Sequence, residues 1–235
     1  MKILAVEFST EEASIALLES DGARLLTEHV VEAHGKRSQE LFPAVEALLS
    51  EESMTLEDIR VFAAGIGPGS YTGLRVAITA VRGWAMPKGR RVWTVSSAAA
   101  IAAEWLARTP GADTVAVWGD ARRGLVWAGR FIRATGAVGE AGGVIQIGDF
   151  EVVERSRRGS LWPVDMWTPE GRPPRAEWIG RLCIAGGISA ALEPIYVNPA
   201  VQIAPRFDAN GRAMSHSAER EKTPFVPRGP GAAQE

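Results

Sequence analysis

The sequence contains little cysteine and histidine, and this scarcity excludes several kinds of site. Cys183 is the only cysteine among 235 residues, so an internal disulfide framework is excluded and a reducing compartment is expected. The histidines, His29, His34 and His216, are scattered and form no His-x-x-x-His or His-Glu-x-x-His pair. We therefore expect no metal centre of the metallopeptidase kind.

The chain also lacks a net positive charge and long apolar runs. The chain has 26 Lys and Arg and 28 Asp and Glu, which gives a formal net charge of −2. We therefore expect no overall positive electrostatic field that would attract it to nucleic acid or an anionic membrane. No apolar run approaches the roughly 20 residues of a membrane span, and the start is too short for a signal-peptide core. With 46% hydrophobic residues, we expect a globular cytoplasmic protein with no membrane partner.

The first half predicts a regular order of strands and helices. Strands are expected at residues 3–8, 13–18, 24–31, 61–66 and 91–95, and helices at 38–53, 71–84 and 97–108. Pro43 is expected near the first turn of its helix, because deeper inside it would remove a backbone hydrogen bond. This order is typical of an α/β, ribonuclease-H-like layer, in which helices pack on a mixed sheet.

The second half begins in the same way and then weakens. Strands at 114–118 and 125–132 flank a turn at 119–124, and a helix over about 175–185 follows a stretch rich in Arg and Pro. The predicted division is an N-terminal lobe at 1–109, a shortened C-terminal lobe at 110–203 and a disordered tail at 204–235.

The most distinctive stretch is a loop between the strand at 61–66 and the helix at 71–84, and it contains Gly67, Pro68, Gly69, Ser70, Thr72 and Gly73. Its glycines allow a tight turn, and the free N–H groups of the following helix form a candidate anion site. It is not a Walker motif, because no Gly-Lys-Ser/Thr follows at the required spacing. Three interpretations stay open: a phosphate loop, a packing device or the base of a partner-binding helix.

Other motifs are weaker. Glu7 and Asp120 end the first strand of each half, as do the carboxylates of actin-like phosphotransferases, but both turns lack the glycines that let backbone approach phosphate. A degenerate nucleotide cleft, or an ATP-dependent phosphotransferase using both carboxylates, is the alternative to ordinary turn carboxylates. Residues 155–158, Arg-Ser-Arg-Arg, form a short basic loop, for which a solvated surface is favoured over an RNA contact.

Residues 67–75 resemble the signature of the TsaB (YeaZ) family, and other stretches similar to that family follow the same order. These are residues 3–10, 38–43, 120–124 and 193–199, the last similar to the family's C-terminal strand, and the resemblance runs from residue 1 to about 201. The sequence departs from the family at Glu7, where Asp is usual, at Arg37, where His is usual, and in a shorter region between about 134 and 174.

The resemblance implies an actin-like, two-lobed fold and a scaffold or activator subunit without catalytic activity of its own. Such proteins bind the TsaD-type catalytic subunit, and through that complex a TsaE-type ATPase, in threonylcarbamoylation of the adenosine beside the anticodon of tRNA. Contact with tRNA is expected to be indirect. No cofactor is intrinsic, and ATP or ADP is expected only at the partner interface.

In this family the first two helices contact TsaD, or a second TsaB copy when the protein is alone. Helix 71–84 is apolar on nearly every side, which agrees with a helix packed both on its own sheet and on a neighbour, although residue pattern alone divides evenly between core and interface. The predicted interface consists of Leu41, Val45, Leu48, Leu49, Tyr71, Leu74, Arg75, Ile78 and Arg82.

Overall fold

The computed structural model describes residues 1–32, 37–134, 143–163, 166–186 and 192–197. The predicted tail at 204–235, together with His34 and His216, lies outside these ranges, so those expectations stay predictions. Among the described helices, none combines the length and the apolar character needed to cross a bilayer.

The first layer is a five-stranded mixed sheet with the order β3-β2-β1-β4-β5. Its strands are β1 (Lys2–Glu7), β2 (Glu12–Glu19), β3 (Arg24–Glu32), β4 (Ile59–Gly65) and β5 (Arg91–Val95). β1 pairs antiparallel with β2, placing Leu4 opposite Leu17, and parallel with β4, placing Leu4 beside Phe62. The five predicted strands are confirmed, as is the α/β class.

Helices cover both faces of this sheet, and this explains why β1 is apolar from Ile3 to Val6. On one face, Leu4 and Val6 pack against α1 (Arg37–Glu51) and α2 (Tyr71–Ala85). On the other face, Ile3 and Ala5 pack against α3 (Ser97–Arg108) and α4 (Ala176–Ile184). The predicted helices are confirmed, with α1 ending two residues earlier than expected.

Pro43 lies inside α1, in its second turn, so the expectation of a first-turn position is wrong. Its ring is at an exposed position, while Leu41 and Val45 on either side are buried. Burial of the apolar stripe therefore holds the helix together around a residue that removes one backbone donor.

The second layer is an antiparallel sheet of β6 (Thr114–Arg122), β7 (Leu125–Arg133) and β8 (Val144–Glu154). β6 continues through most of the predicted turn at 119–124, so the reversal is confined to Arg123 and Gly124. β8 was not predicted, because Gly148 and Asp149 interrupt its alternation; Gly148 has φ +73° where the pairing register with β7 shifts.

The C-terminal stretch differs from the strand that the family resemblance implies. Residues 192–197 form no regular strand, although the Ile195 N–H donates to the Ile66 carbonyl at 2.7 Å. Residues 198–199 of that stretch lie outside the described ranges.

α4 comes from the second half of the chain but docks on the first sheet. Its N-terminus is capped by side chains of other elements: Ser14 Oγ accepts from the Ala176 N–H at 2.8 Å, and Glu28 Oε1 accepts from the Glu177 N–H at 3.0 Å. Glu28 Oε2 also accepts from Arg175 Nη2 at 2.7 Å. Strands β2 and β3 of the first sheet therefore supply the acceptors that the helix sequence lacks. The predicted lobe boundaries stay a prediction.

We expect Glu28→Ala to lower the free energy of unfolding by about 2 kcal/mol, because it leaves Arg175 and the Glu177 N–H without their acceptor. Glu51→Ala is the matched control, since that exposed carboxylate also joins a helix to β3, through His29. Urea unfolding measures both. Equal losses in the two variants would contradict the capping role of Glu28.

Candidate functional site

The loop that precedes α2 is pinned to its neighbours by its own backbone. The Gly67 carbonyl accepts from the Ser97 N–H at 2.7 Å, and the Gly67 N–H donates to Ser97 Oγ at 3.0 Å. The Ser70 N–H donates to the Ser9 carbonyl at 2.7 Å, and a Cβ on Gly69 would lie 2.5 Å from that oxygen. These contacts favour the packing-device interpretation over the phosphate loop, because the close approach that glycine permits is made to protein backbone.

The loop also begins α2. Ser70 is the N-cap, and its side chain accepts from the Gly73 N–H at 3.4 Å. Thr72 is exposed, whereas Pro68 and Gly73 are buried. The loop signature therefore sets where α2 starts and how it leaves the sheet.

Glu7 is a buried carboxylate and not part of a cleft. It accepts hydrogen bonds from the Ser9 N–H at 2.6 Å and from Ser97 Oγ at 2.7 Å. A Cβ on Gly65 would lie 1.7 Å from Glu7 Oε2, so glycine is required there to admit the longer acid. Burial raises the pKa of the Glu7 carboxyl above its usual value, and the hydrogen bonds from Ser9 and Ser97 act in the opposite direction.

Asp120 lies in β6, and its carboxyl borders a cleft of about 690 Å³. The opposite wall includes Ser9, Thr10 and the N-terminus of α2 at Tyr71. Asp120 Oδ1 accepts from the Arg122 N–H at 3.2 Å and lies 3.8 Å from Arg155 Nη2. The alternative in which Glu7 and Asp120 together line a nucleotide cleft is not supported, because Asp120 borders the cleft while Glu7 is buried inside the first layer.

The predicted interface divides into a buried and an exposed group. The apolar members are at most 6% exposed, those of α1 pack in the core on the first sheet, and Leu74 lies beside Gly67 of the loop; the full set is Leu41, Val45, Leu48, Leu49, Leu74 and Ile78. Their assignment to a partner surface is wrong, because the sheet and the adjoining loop take up the apolar stripes of both helices. The second apolar side expected for α2 is filled by the protein itself.

Tyr71, Arg75 and Arg82 are the predicted interface residues that are exposed. Tyr71 is 56% exposed and stacks on Tyr196 with ring centroids 5.2 Å apart, and the Arg75 guanidinium lies 5.2 Å from the Tyr71 ring. This cluster joins the start of α2 to the C-terminal stretch.

Sequence reasoning missed two exposed residues near the C-terminal end of α2, Phe42 on α1 and Met86 just after α2. They are 56% and 74% exposed, and Phe42 contacts Trp84 edge to face at 5.8 Å. The signal for Phe42 was an aromatic residue on the polar side of an amphipathic helix. We name Phe42, Tyr71, Arg75, Arg82 and Met86 the helical face.

No cluster of three or more His, Cys, Asp and Glu side chains suited to a metal ion occurs within the described part of the chain. Cys183 is buried on α4, where burial raises the pKa of its thiol.

Comparisons with known proteins match the chain to one family model and to several relatives. The model of the TsaD family, tRNA N6-adenosine threonylcarbamoyltransferase, matches residues 31–147. The tRNA threonylcarbamoyladenosine biosynthesis protein TsaB of Escherichia coli is 34% identical over 128 residues, which are 54% of this chain and 53% of that protein. TsaB of Bacillus subtilis is 32% identical over 131 residues, 56% of this chain and 55% of that protein. The chain thus spans about half the length of the curated relatives it matches.

Among solved structures, YeaZ from Pseudomonas aeruginosa is 29% identical and superposes with a TM-score of 0.68. That match covers 83% of this chain and 99% of the YeaZ chain. Together with the sheet order and the helical layers, it shows an α/β actin-like fold. The abbreviation of the second lobe stays a prediction.

Burial of Glu7 predicts a pH-dependent stability. Since its folded-state pKa lies above the unfolded value, its contribution favours folding below about pH 4.3 and is lost as pH rises through the folded-state pKa. We therefore expect Glu7→Gln to gain stability relative to wild type as the pH rises from about 4.3 towards neutral.

Urea unfolding across that range measures the difference between the two proteins. Glu11→Gln, at an exposed residue of the adjoining turn, controls for the loss of one carboxylate. A Glu7→Gln difference that stays constant with pH would contradict a buried, titrating Glu7.

Proposed function

The chain belongs to the TsaB (YeaZ) family, and from this premise we propose that it acts in the biosynthesis of threonylcarbamoyladenosine in tRNA. Its role is that of a non-catalytic scaffold or activator that binds a TsaD-type catalytic subunit. A TsaE-type ATPase joins through that complex. The reaction places the threonylcarbamoyl group on the adenosine beside the anticodon.

The helical face is the observation that carries the proposed partner contact. Phe42, Tyr71 and Met86 are large apolar side chains that stay exposed on α1, at the start of α2 and just after it. Arg75 and Arg82 lie exposed on α2. Aromatic residues, Met and Arg are the types enriched in the cores of protein interfaces.

The buried group supports the same role in a different way. Leu41, Val45 and Leu48 fix α1 on the sheet, and Leu74 fixes the first turn of α2, so the exposed side chains project from a rigid base. A pre-ordered surface loses little conformational entropy on binding. We infer that a second copy of the chain uses the same face when the catalytic subunit is absent, so the two partners compete.

A scaffold role also fits the position of the carboxylates better than the alternative phosphotransferase. Glu7 is enclosed by Ser9, Ser97 and Gly65 and cannot reach a nucleotide in the cleft without unfolding its surroundings. Asp120 is engaged with arginines. We propose that ATP or ADP, if used by the assembly, binds at the partner interface and not within this chain.

Substitution on the helical face tests the proposal. We expect the double change Tyr71→Ala and Arg82→Glu to weaken binding of the TsaD-type subunit at least about tenfold, because it removes an exposed aromatic anchor and reverses a charge. Isothermal titration with the purified subunit measures the loss. Core changes such as Leu74→Glu are unsuitable, since they would unfold the chain.

Arg60→Glu is the control for the charge reversal, because Arg60 is exposed on β4 and is not part of the helical face. Thermal unfolding checks that each variant is folded. If the helical-face variant binds the TsaD-type subunit with unchanged affinity, the assignment of the helical face as the contact surface is wrong. If the wild-type chain binds no TsaD-type subunit, the proposed function is wrong.

A further inference from the structure

Five arginines lie along one edge of the second layer, and we name Arg122, Arg123, Arg155, Arg157 and Arg158 the arginine edge. The first two form the tip of the β6–β7 hairpin, and the others belong to the 3₁₀ helix Arg155–Ser160 that follows β8. The Arg155 N–H donates to the Gly124 carbonyl at 3.0 Å, which joins the two segments. The sequence motif at 155–158 is thus half of a larger basic surface.

Carboxylates neutralise only part of this surface. Arg155 pairs with Glu170 and lies 3.8 Å from Asp120, and Arg157 lies 3.6 Å from Glu154. Arg122 is 83% exposed and reaches Asp120 only at 4.0 Å. Within the described ranges, Arg123 and Arg158 have no carboxylate at ion-pair distance. The arginine edge is therefore locally positive, although the net charge of the whole chain is −2.

Tryptophan rings hold two arginines of the arginine edge in place. The Arg158 guanidinium lies 3.9 Å from the Trp118 ring and 5.2 Å from the Trp167 ring, and Arg155 lies 5.4 Å from Trp118. Trp167 in turn packs on Trp162, with centroids 5.4 Å apart. Stacking holds a guanidinium by its flat face and leaves its N–H groups pointing outward, the arrangement suited to bidentate contact with phosphate.

The hairpin tip presents its arginines at a conformational cost. Arg122 has φ +69° and Arg123 has φ +55°, a left-handed region that is unfavourable for a non-glycine residue. Asn or Gly would fill these positions without that cost. Two long basic side chains thus occupy sites where the turn itself favours small ones.

We propose that the arginine edge binds the phosphate backbone of RNA, the tRNA substrate of the assembly. This inference rests on the proposed function and replaces the expectation of an indirect tRNA contact. The edge borders the cleft through Arg122 and Arg155, and Tyr71 of the helical face borders the same cleft. RNA held by the arginine edge therefore lies beside a catalytic subunit held by the helical face.

A protein surface or a membrane fits the edge less well. None of the large apolar side chains exposed in the described ranges lies on the edge, as membrane insertion or an interface core would need; they are Met1, Val30, Phe42, Tyr71, Met86, Ile145 and Tyr196. Arginines held in place by stacking on tryptophans instead match the phosphate-binding chemistry of RNA recognition.

The test uses the full chain and its complex with the TsaD-type subunit, with a labelled, unmodified tRNA transcript as the probe. The variant combines Arg122→Asn and Arg123→Asn, since Asn tolerates positive φ and keeps the hairpin folded. Fluorescence anisotropy across a salt series is expected to show about 30-fold weaker binding at 0.1 M salt. The slope of log K against log salt should fall by about two.

The control combines Arg60→Gln and Arg91→Gln, which removes the same charge elsewhere on the surface. Equal losses in variant and control, or no tRNA binding by wild-type chain and complex, would overturn the inference. Poly-glutamate that competes as well as tRNA, charge for charge, would also overturn the assignment to RNA. Binding of the TsaD-type subunit, measured in parallel, separates this outcome from failure of the proposed function.

Discussion

The two layers of this protein depend on one helix that packs on both sides. α3 contributes Ala100 and Ala103 to the core beneath the first sheet, and Ile101 and Ala102 to the core beneath the second. Small side chains allow both sheets to approach its backbone closely, and each methyl is fully or almost fully buried. Its first residues also hold the Gly67 carbonyl and the Glu7 carboxyl. The loop, the buried acid and the cleft therefore share a single support.

The fold could be predicted from sequence where local pattern and tertiary role agree. β5 and α3 have the predicted bounds, because an apolar run and an Ala-rich run are each bounded by residues that end them. β8 could not be predicted, since Gly148 and Asp149 signal a turn and only the register shift against β7 makes them part of a strand. The docking of α4 depends on Ser14 and Glu28, which no pattern near residue 176 announces.

The contact residues of the candidate site, in contrast, could not be predicted from the local sequence pattern. The loop signature led to the right element, but the choice of contact residues followed apolarity, which selects what the chain buries itself. Leu74 and Ile78 satisfy the apolar stripe of α2 within the protein, while Tyr71 and Arg75 are left for contact. The role of Glu7 could not be inferred from sequence for a related reason. A carboxylate at the end of a strand suggests a ligand-binding residue, and only the structure shows that Gly65 and Ser97 enclose it.

The docking of α4 also bears on how the protein is made. The first sheet is complete once residue 95 has been synthesised, yet Ile3, Ala16 and Leu18 on one of its faces have their cover partly from Ala176–Ile184. During synthesis the part of that face that α4 covers stays open to solvent while the second sheet is still being translated. An apolar surface exposed in this interval makes the incomplete chain prone to aggregate. The first sheet is therefore fully covered only after the ribosome has translated the last described helix.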